Sequence, residues 1–171
     1  MYFTKSLNRI NRVGTSLLLV AVIFTTSVAN AQQSSSSTKK VIVGSWLETV
    51  TFSGGVLPPL KSLVTFSADG TLAVADQGNV NIAAGQLFSA GHGAWVAQGE
   101  RTFSWTTVEL ISDLNGNLIG TLKVRGTYTV DESGNGYSGV FLAEIKDTSD
   151  NVLFSAGGTN AGVRIQVEPL P

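Results

Sequence analysis

From Val41 onward, hydrophobic and polar residues alternate in short runs, and no run follows the 3.6-residue period of an amphipathic helix. Strict alternation is typical of β-strands that bury one face. The pattern predicts eight strands, at 41–52, 60–67, 71–76, 92–97, 101–111, 117–130, 137–147 and 151–167. The domain is therefore expected to be all-β.

Short turn segments separate most of these strands. SADG at 67–70, DLNGN at 113–117 and DTSDN at 147–151 supply the Gly, Asn and Asp residues that tolerate positive φ in hairpins. Connections this short join antiparallel neighbours. An antiparallel meander must protect its two edge strands, and closure into a barrel does so most simply. The sequence thus predicts an up-and-down antiparallel β-barrel of about eight strands.

The alternation also indicates which side chains point into the barrel. Strand 117–130 has one apolar face that includes Gly120 and Gly126, which we expect at sharp bends. In strand 101–111, Phe103 and Trp105 share a face with Glu109, and neither face is purely apolar. The pattern therefore does not decide which face of this strand points into the barrel.

The first 40 residues have a different composition. Residues 1–31 combine a basic start, a short apolar run and an Ala-x-Ala site, which predicts a secretory signal peptide cleaved before Gln32. The apolar run is shorter than the ~20 residues of a spanning helix. Residues 32–40 are rich in Ser and predict a flexible linker. The barrel domain is then 41–171, exported to the periplasm or the extracellular space, with no membrane span after cleavage.

Cleavage changes the charge balance. It removes three of the 11 basic residues and none of the 12 acidic ones, which leaves a net charge of −4. This balance argues against a nucleic-acid binder, which would need a clustered basic face. Since the chain has no cysteine, the exported domain must be stabilised by its hydrophobic core.

The segment VIVGSWLETV places Gly44, Trp46 and Glu48 on one face of the first strand. Trp46 can plug one end of a barrel, Gly44 leaves room beside it, and Arg164 of the last strand can stack on the indole and cap strand-end carbonyls. Gly-x-Trp on the first strand with an arginine on the last resembles the calycin superfamily, which includes the lipocalins. The resemblance implies an eight-stranded barrel closed by these three residues.

A second resemblance is broader. The segments GHGAWV, RTFSWT, GTLKVRGTYTV and GVRIQVEPL together look similar to a group of small bacterial secreted barrels of undescribed activity. It implies the same fold and no particular function.

Few residues could carry acid–base chemistry. Glu48 shares the face of Trp46, so alternation places it inside, where burial would raise its pKa and make it a candidate acid, base or ligand anchor. Pairing with Arg164 or another cation, or a bulge that turns it outward, is the simpler alternative. His92, the only histidine, is a second catalytic candidate or else a turn residue. No metal-ligand spacing is present, and no cofactor is expected.

The longest connection between predicted strands is Gln77 to Gly91, which is apolar for a loop. Such a loop either gates a barrel mouth or completes the core. We predict that Leu87 and Phe88 from this loop, with Phe103 and Trp105, contact a ligand inside the barrel.

Three functions fit such a barrel. An eight-stranded barrel is either filled by side chains or holds one small ligand, so the first is binding of a small hydrophobic molecule. The second is an enzyme that resembles allene oxide cyclases and dirigent proteins, which steer a reactive intermediate by shape. The third is a solid-core interaction or inhibitor protein. A cavity would argue against the third, and an inward Glu48 or His92 would favour the second over the first.

Overall fold

The structure is a computed structural model that describes residues 41–81 and 84–170. The predicted signal peptide and linker, 1–31 and 32–40, lie outside these residues. In the part of the chain that is described, no helix has the length and hydrophobicity needed to cross a membrane.

Ten β-strands and one short 3₁₀ turn (Ser53–Gly55) form the described chain. The strands are β1 (Gly44–Phe52), β2 (Leu60–Phe66), β3 (Thr71–Asp76), β4 (Val80–Asn81), β5 (Gln86–Phe88), β6 (Gly91–Ala97), β7 (Thr102–Asp113), β8 (Leu118–Val130), β9 (Gly136–Lys146) and β10 (Val152–Arg164).

Eight of these strands close into a ring. The pairing order is β7-β6-β3-β2-β1-β10-β9-β8, and β8 pairs again with β7, with every pairing antiparallel. The prediction of an all-β, eight-stranded antiparallel barrel is confirmed, and each predicted strand matches an observed one within three residues.

The connection between β3 and β6 contains the main difference from the sequence prediction. Instead of a strand-free loop, it forms the hairpin β4–β5, and β5 pairs with β7 at Ile111 to Asp113, beyond the end of β6. The two strands are only two and three residues long, too short to show an alternation that a sequence pattern can detect.

Two glycines of β8 lie where the backbone of β9 leaves no room for a side chain. A Cβ at Gly120 would lie 2.1 Å from the carbonyl oxygen of Lys146, and one at Gly126 would lie 2.3 Å from that of Val140. Neither site can accept a side chain without moving the neighbouring backbone. The close approach explains why glycine occupies both positions, and the sharp bends expected there stay a prediction.

One end of the barrel is closed by Trp46, which is fully buried, and by Arg164, its register partner on β10. The guanidinium carbon of Arg164 lies 4.1 Å from the centre of the indole ring. Arg164 also donates hydrogen bonds to the carbonyl oxygens of Val43 (2.8 Å), Gly134 (2.8 Å) and Val41. One side chain therefore joins the start of the domain to the β8–β9 turn.

Gly44 leaves the space that Arg164 occupies. Its φ of +130° is unfavourable for residues with a side chain, and a Cβ there would lie 2.7 Å from Nη1 of Arg164. The sequence placed Gly44 beside the indole, and in the structure its close neighbour is the guanidinium.

Replacement of Arg164 by leucine is expected to lower the free energy of unfolding by about 2 kcal/mol or more, because three carbonyl groups lose a charged donor and the indole loses its cation. Urea denaturation followed by tryptophan fluorescence measures this change. Arg125→Leu is the control, since Arg125 is exposed and its side chain, among the described residues, bonds to Glu144 on the outer surface. Equal effects of the two substitutions would contradict a closing role for Arg164.

Candidate functional site

The half of the barrel away from Trp46 contains a cavity of about 530 Å³. Its walls come from seven strands of the ring and its mouth from the β1–β2 and β3–β5 connections. The residues that line it are Glu48, Val50, Phe52, Leu57, Pro58, Pro59, Leu60, Ser62, Val64, Val74, Asp76, Gln77, Gly78, Asn79, Asn81, Gln86, Phe88, Trp105, Thr107, Glu109, Leu122, Val124, Tyr128, Phe141, Ala143, Ile145, Phe154 and Asn160.

Glu48 is held in a hydrogen-bonded group next to the closed end. Its Oε2 accepts hydrogen bonds from the hydroxyls of Tyr128 (2.7 Å) and Tyr137 (2.6 Å), and its Oε1 accepts one from Nδ2 of Asn160 (2.8 Å). Only 3% of Glu48 is exposed. Three neutral donors from β8, β9 and β10 thus fix the position of one carboxyl group from β1.

Burial and hydrogen bonding act on Glu48 in opposite directions. Loss of solvent raises its pKa above the ordinary value, and the bonds from Tyr137, Tyr128 and Asn160 lower it, with burial the larger effect. Burial also raises the pKa of both tyrosines. The phenols therefore remain protonated and serve as fixed donors.

Two further carboxyl groups face the cavity. Asp76 accepts a hydrogen bond from the hydroxyl of Ser62, and burial raises its pKa. Glu109 is 3% exposed and has no hydrogen-bond partner within residues 41–81 and 84–170. Burial, with a smaller contribution from the charge of Asp76, raises the pKa of Glu109 to about 8. No lysine, arginine or histidine of the described chain lines the cavity.

Two other polar atoms in the cavity wall lack a partner among the described residues. They are the indole Nε1 of Trp105, a donor, and the Oδ1 of Asn160, an acceptor. Trp105 stacks on Tyr128 with ring centres 5.0 Å apart and an interplanar angle of 17°. A buried polar atom without a partner is costly, so such atoms often mark a place for a bound group.

The structure places the two candidate acid–base residues differently. Glu48 points inward, as alternation indicated, but the simpler alternatives were wrong: it pairs with two phenols and an amide and not with Arg164, and no bulge turns it outward. His92 is exposed on the outer surface of β6, in register with Ala73 and Val108. It does not face the cavity.

The four predicted ligand contacts separate into two groups. Trp105 and Phe88 line the cavity. Phe103 is fully buried in the closed half, where it packs edge-on against Trp95 with ring centres 5.7 Å apart. Leu87 is half-buried and is not a lining residue.

Sequence reasoning missed Asp76, Glu109 and Asn160. The alternation of strand 101–111 had placed Glu109 on the face of Phe103 and Trp105, and this face proves to be the buried one. That signal could have identified Glu109. Alternation could also have identified Asp76, which shares the face of Leu72 and Val74 in strand 71–76. Asn160 lies in a strand rich in small residues, so it had no such signal. Within the described residues, no three His, Cys, Asp or Glu side chains form a group suited to a metal ion.

Comparisons with known proteins find similar barrels only among solved structures. No protein-family model and no curated protein matches the chain. One similar structure is a redesigned beta barrel, b11L5F_LGL, at 17% identity and a TM-score of 0.44, with 77% of this chain and 96% of that chain covered. Another is EF1p2_mFAP2b bound to DFHBI, at 17% identity and a TM-score of 0.47, with 77% and 99% covered. At these scores the resemblance carries no information on what this chain binds.

The stability of the barrel is expected to fall as the pH rises from 5 to 8. Over this range native Glu109, with a pKa of about 8, keeps a proton that the unfolded chain, with a pKa near 4.5, has lost. One such group changes the free energy of unfolding by about 1 kcal/mol per pH unit.

Glu109→Gln is expected to flatten this dependence, which urea denaturation at several pH values measures. Glu100→Gln is the control, because it removes the same charge from an exposed turn. A slope that Glu109→Gln leaves unchanged would show that Glu109 is ionised in the native barrel at neutral pH.

Proposed function

We propose that the protein is an exported, calycin-like barrel that binds one small, mainly apolar molecule in the cavity next to Glu48. The observation that carries this proposal is the cavity itself. Its volume of about 530 Å³ lies within the range of small-molecule sites, and a few polar atoms converge on walls that are otherwise apolar.

A ligand would enter the cavity from one end of the barrel. Trp46 and Arg164 close the other end, so a ligand would pass between the Leu57–Pro59 segment and the β4–β5 hairpin, where Phe88 lies. Both segments are connections outside the eight-strand ring. Displacement of either segment would leave the pairing of the ring intact.

Export is supported by the sequence of residues 1–31, whose basic start, apolar run and Ala-x-Ala site are typical of a signal peptide. The calycin relationship is supported by Gly44, Trp46 and Arg164, which lie together at the closed end. The mature protein would act in the periplasm or outside the cell. A solid-core interaction protein is less well supported, because the interior is not filled.

Nile red, a neutral apolar dye, is expected to bind the purified protein with a blue-shifted emission. Ala143→Phe should weaken this binding tenfold or more, because the new phenyl ring occupies the cavity. The control is Val140→Phe, which adds a larger side chain to the same strand on its exposed face. Fluorescence titration of the three proteins measures the effect. Absence of dye binding, or equal loss in both variants, would contradict a ligand site in the cavity.

A second function, an isomerase or cyclase acting on a hydrophobic substrate, is favoured by Glu109. A buried carboxyl group that is still protonated near neutral pH and faces a cavity is suited to act as a general acid. The allene-oxide-cyclase-like and dirigent-like barrels suggested from the sequence are of this type. Glu48 faces the same cavity but is bound by three donors.

Isomerisation changes the structure of a molecule and not its mass, so this activity can be tested before the substrate is identified. Ligands extracted from wild type and Glu109→Gln, produced in the same host, are compared by liquid chromatography and mass spectrometry. An enzyme should yield species of equal mass and different retention time, since the variant retains substrate. Identical species from both proteins would favour binding alone.

A further inference from the structure

The carboxyl groups of the cavity form a continuous band across the sheet. Glu48 on β1 is in register with Ser62 on β2, and Ser62 is in register with Asp76 on β3. On the far side of β3, Glu109 of β7 reaches toward the same wall. The band thus runs across one side of the cavity, between the aromatic closed end and the mouth.

Gly91 on β6 makes room for this arrangement. A Cβ at Gly91 would lie 3.3 Å from Cγ and Oε1 of Glu109 and 3.3 Å from the side chain of Val74. The Glu109 side chain therefore lies over Gly91 and next to Val74, which precedes Asp76 by two residues on the same face of β3. Asp76 and Glu109 consequently share one wall.

Acceptor groups without a hydrogen-bond partner among the described residues lie in the cavity wall. They include the Oδ1 of Asn160, a residue that is 4% exposed, and the carboxyl group of Glu109, which accepts through both oxygens once it ionises. The free buried donor among the described residues is the indole N–H of Trp105, which is 6% exposed. A ligand that satisfies this wall must bring donors, and one that balances the carboxylates must bring positive charge.

We propose that the ligand carries a basic amine, whose ammonium group binds between Asp76 and Glu109 while its apolar part fills the cavity. This proposal rests on the proposed binding function and names its ligand class. The apolar walls formed by Val74, Val124 and Phe141 favour an organic cation over a hydrated inorganic ion. The N–H of Trp105 remains available for an acceptor atom elsewhere on the ligand.

The test uses three probes with one aromatic group and different charge: naphthylethylamine, naphthylethanol and naphthylacetate. Isothermal titration calorimetry at pH 8 should show the amine binding at least tenfold more tightly than the alcohol. The acetate should bind most weakly, because it adds a negative charge beside Asp76 and Glu109.

Variants that remove one carboxyl charge test whether Asp76 and Glu109 cause the preference for the amine. Glu109→Gln and Asp76→Asn should each reduce the preference for the amine over the alcohol about tenfold. Glu100→Gln should leave this preference unchanged. Near-ultraviolet circular dichroism checks the fold, and neither variant removes a group that closes the barrel.

The pH dependence gives a second readout. The titratable groups nearest Glu109 in the cavity are Asp76 of β3 and, farther along the band, Glu48 of β1. The residues opposite Glu109 on β6 and β8 are Gly91 and Leu122, which do not titrate. An alkylamine remains protonated at both pH 6 and pH 8. Amine affinity should therefore rise at least tenfold between these values as Glu109 ionises, and alcohol affinity should not.

The outcomes distinguish the two proposals. If the alcohol or Nile red binds but the amine is not preferred, or if Glu109→Gln leaves the preference intact, the amine inference is overturned and the binding function stands. If no probe and no dye binds, both fail. The amine inference is supported if the wild type prefers the amine at pH 8 and this preference is lost both in Glu109→Gln and at pH 6.

Discussion

The structure depends on closure of the eight-strand ring. Once β8 pairs with β7, the eight-strand ring has no edge, and every second residue of each ring strand must point into a limited interior. Glu48 and Glu109 must then point inward, because they share faces with Trp46 and Trp105. The acidic interior is a consequence of register, and register is fixed by the large aromatic residues on the same faces.

The two halves of the interior differ because their side chains differ in size. Trp46, Phe66, Trp95, Phe103 and Tyr137 fill the closed half and pack edge-on or tilted against one another. Valine, alanine and leucine are frequent in the walls of the other half, beside aromatic residues such as Phe52 and Phe141, and these walls leave a cavity of about 530 Å³. The filled half supplies the hydrophobic stabilisation, which allows the other half to remain open and to contain polar groups that destabilise the fold.

The buried carboxyl groups differ in how many hydrogen bonds they accept. We use this difference to separate structural from functional roles. Glu48 has three donors and joins four strands of the barrel, so it stabilises the closed half despite its burial. Among the described residues, Glu109 has no donor and Asp76 has one, the hydroxyl of Ser62. Proteins retain poorly satisfied buried groups mainly where a ligand or a reaction requires them. The amine and catalytic proposals therefore both centre on Glu109.

The sequence alone determined the fold, because alternation and turn residues are local and repeat along the chain; it also indicated that Gly44, Trp46 and Arg164 belong together. Only the tertiary structure decided which residues form the cavity. Glu109 lies over Gly91 and next to Val74, on the wall that also holds Asp76, and this arrangement is set by the pairing of β3, β6 and β7. The phenols of Tyr128 and Tyr137 reach Glu48 from strands 80 and 89 residues away in sequence. Such contacts have no local signature, because they follow from how the ring closes.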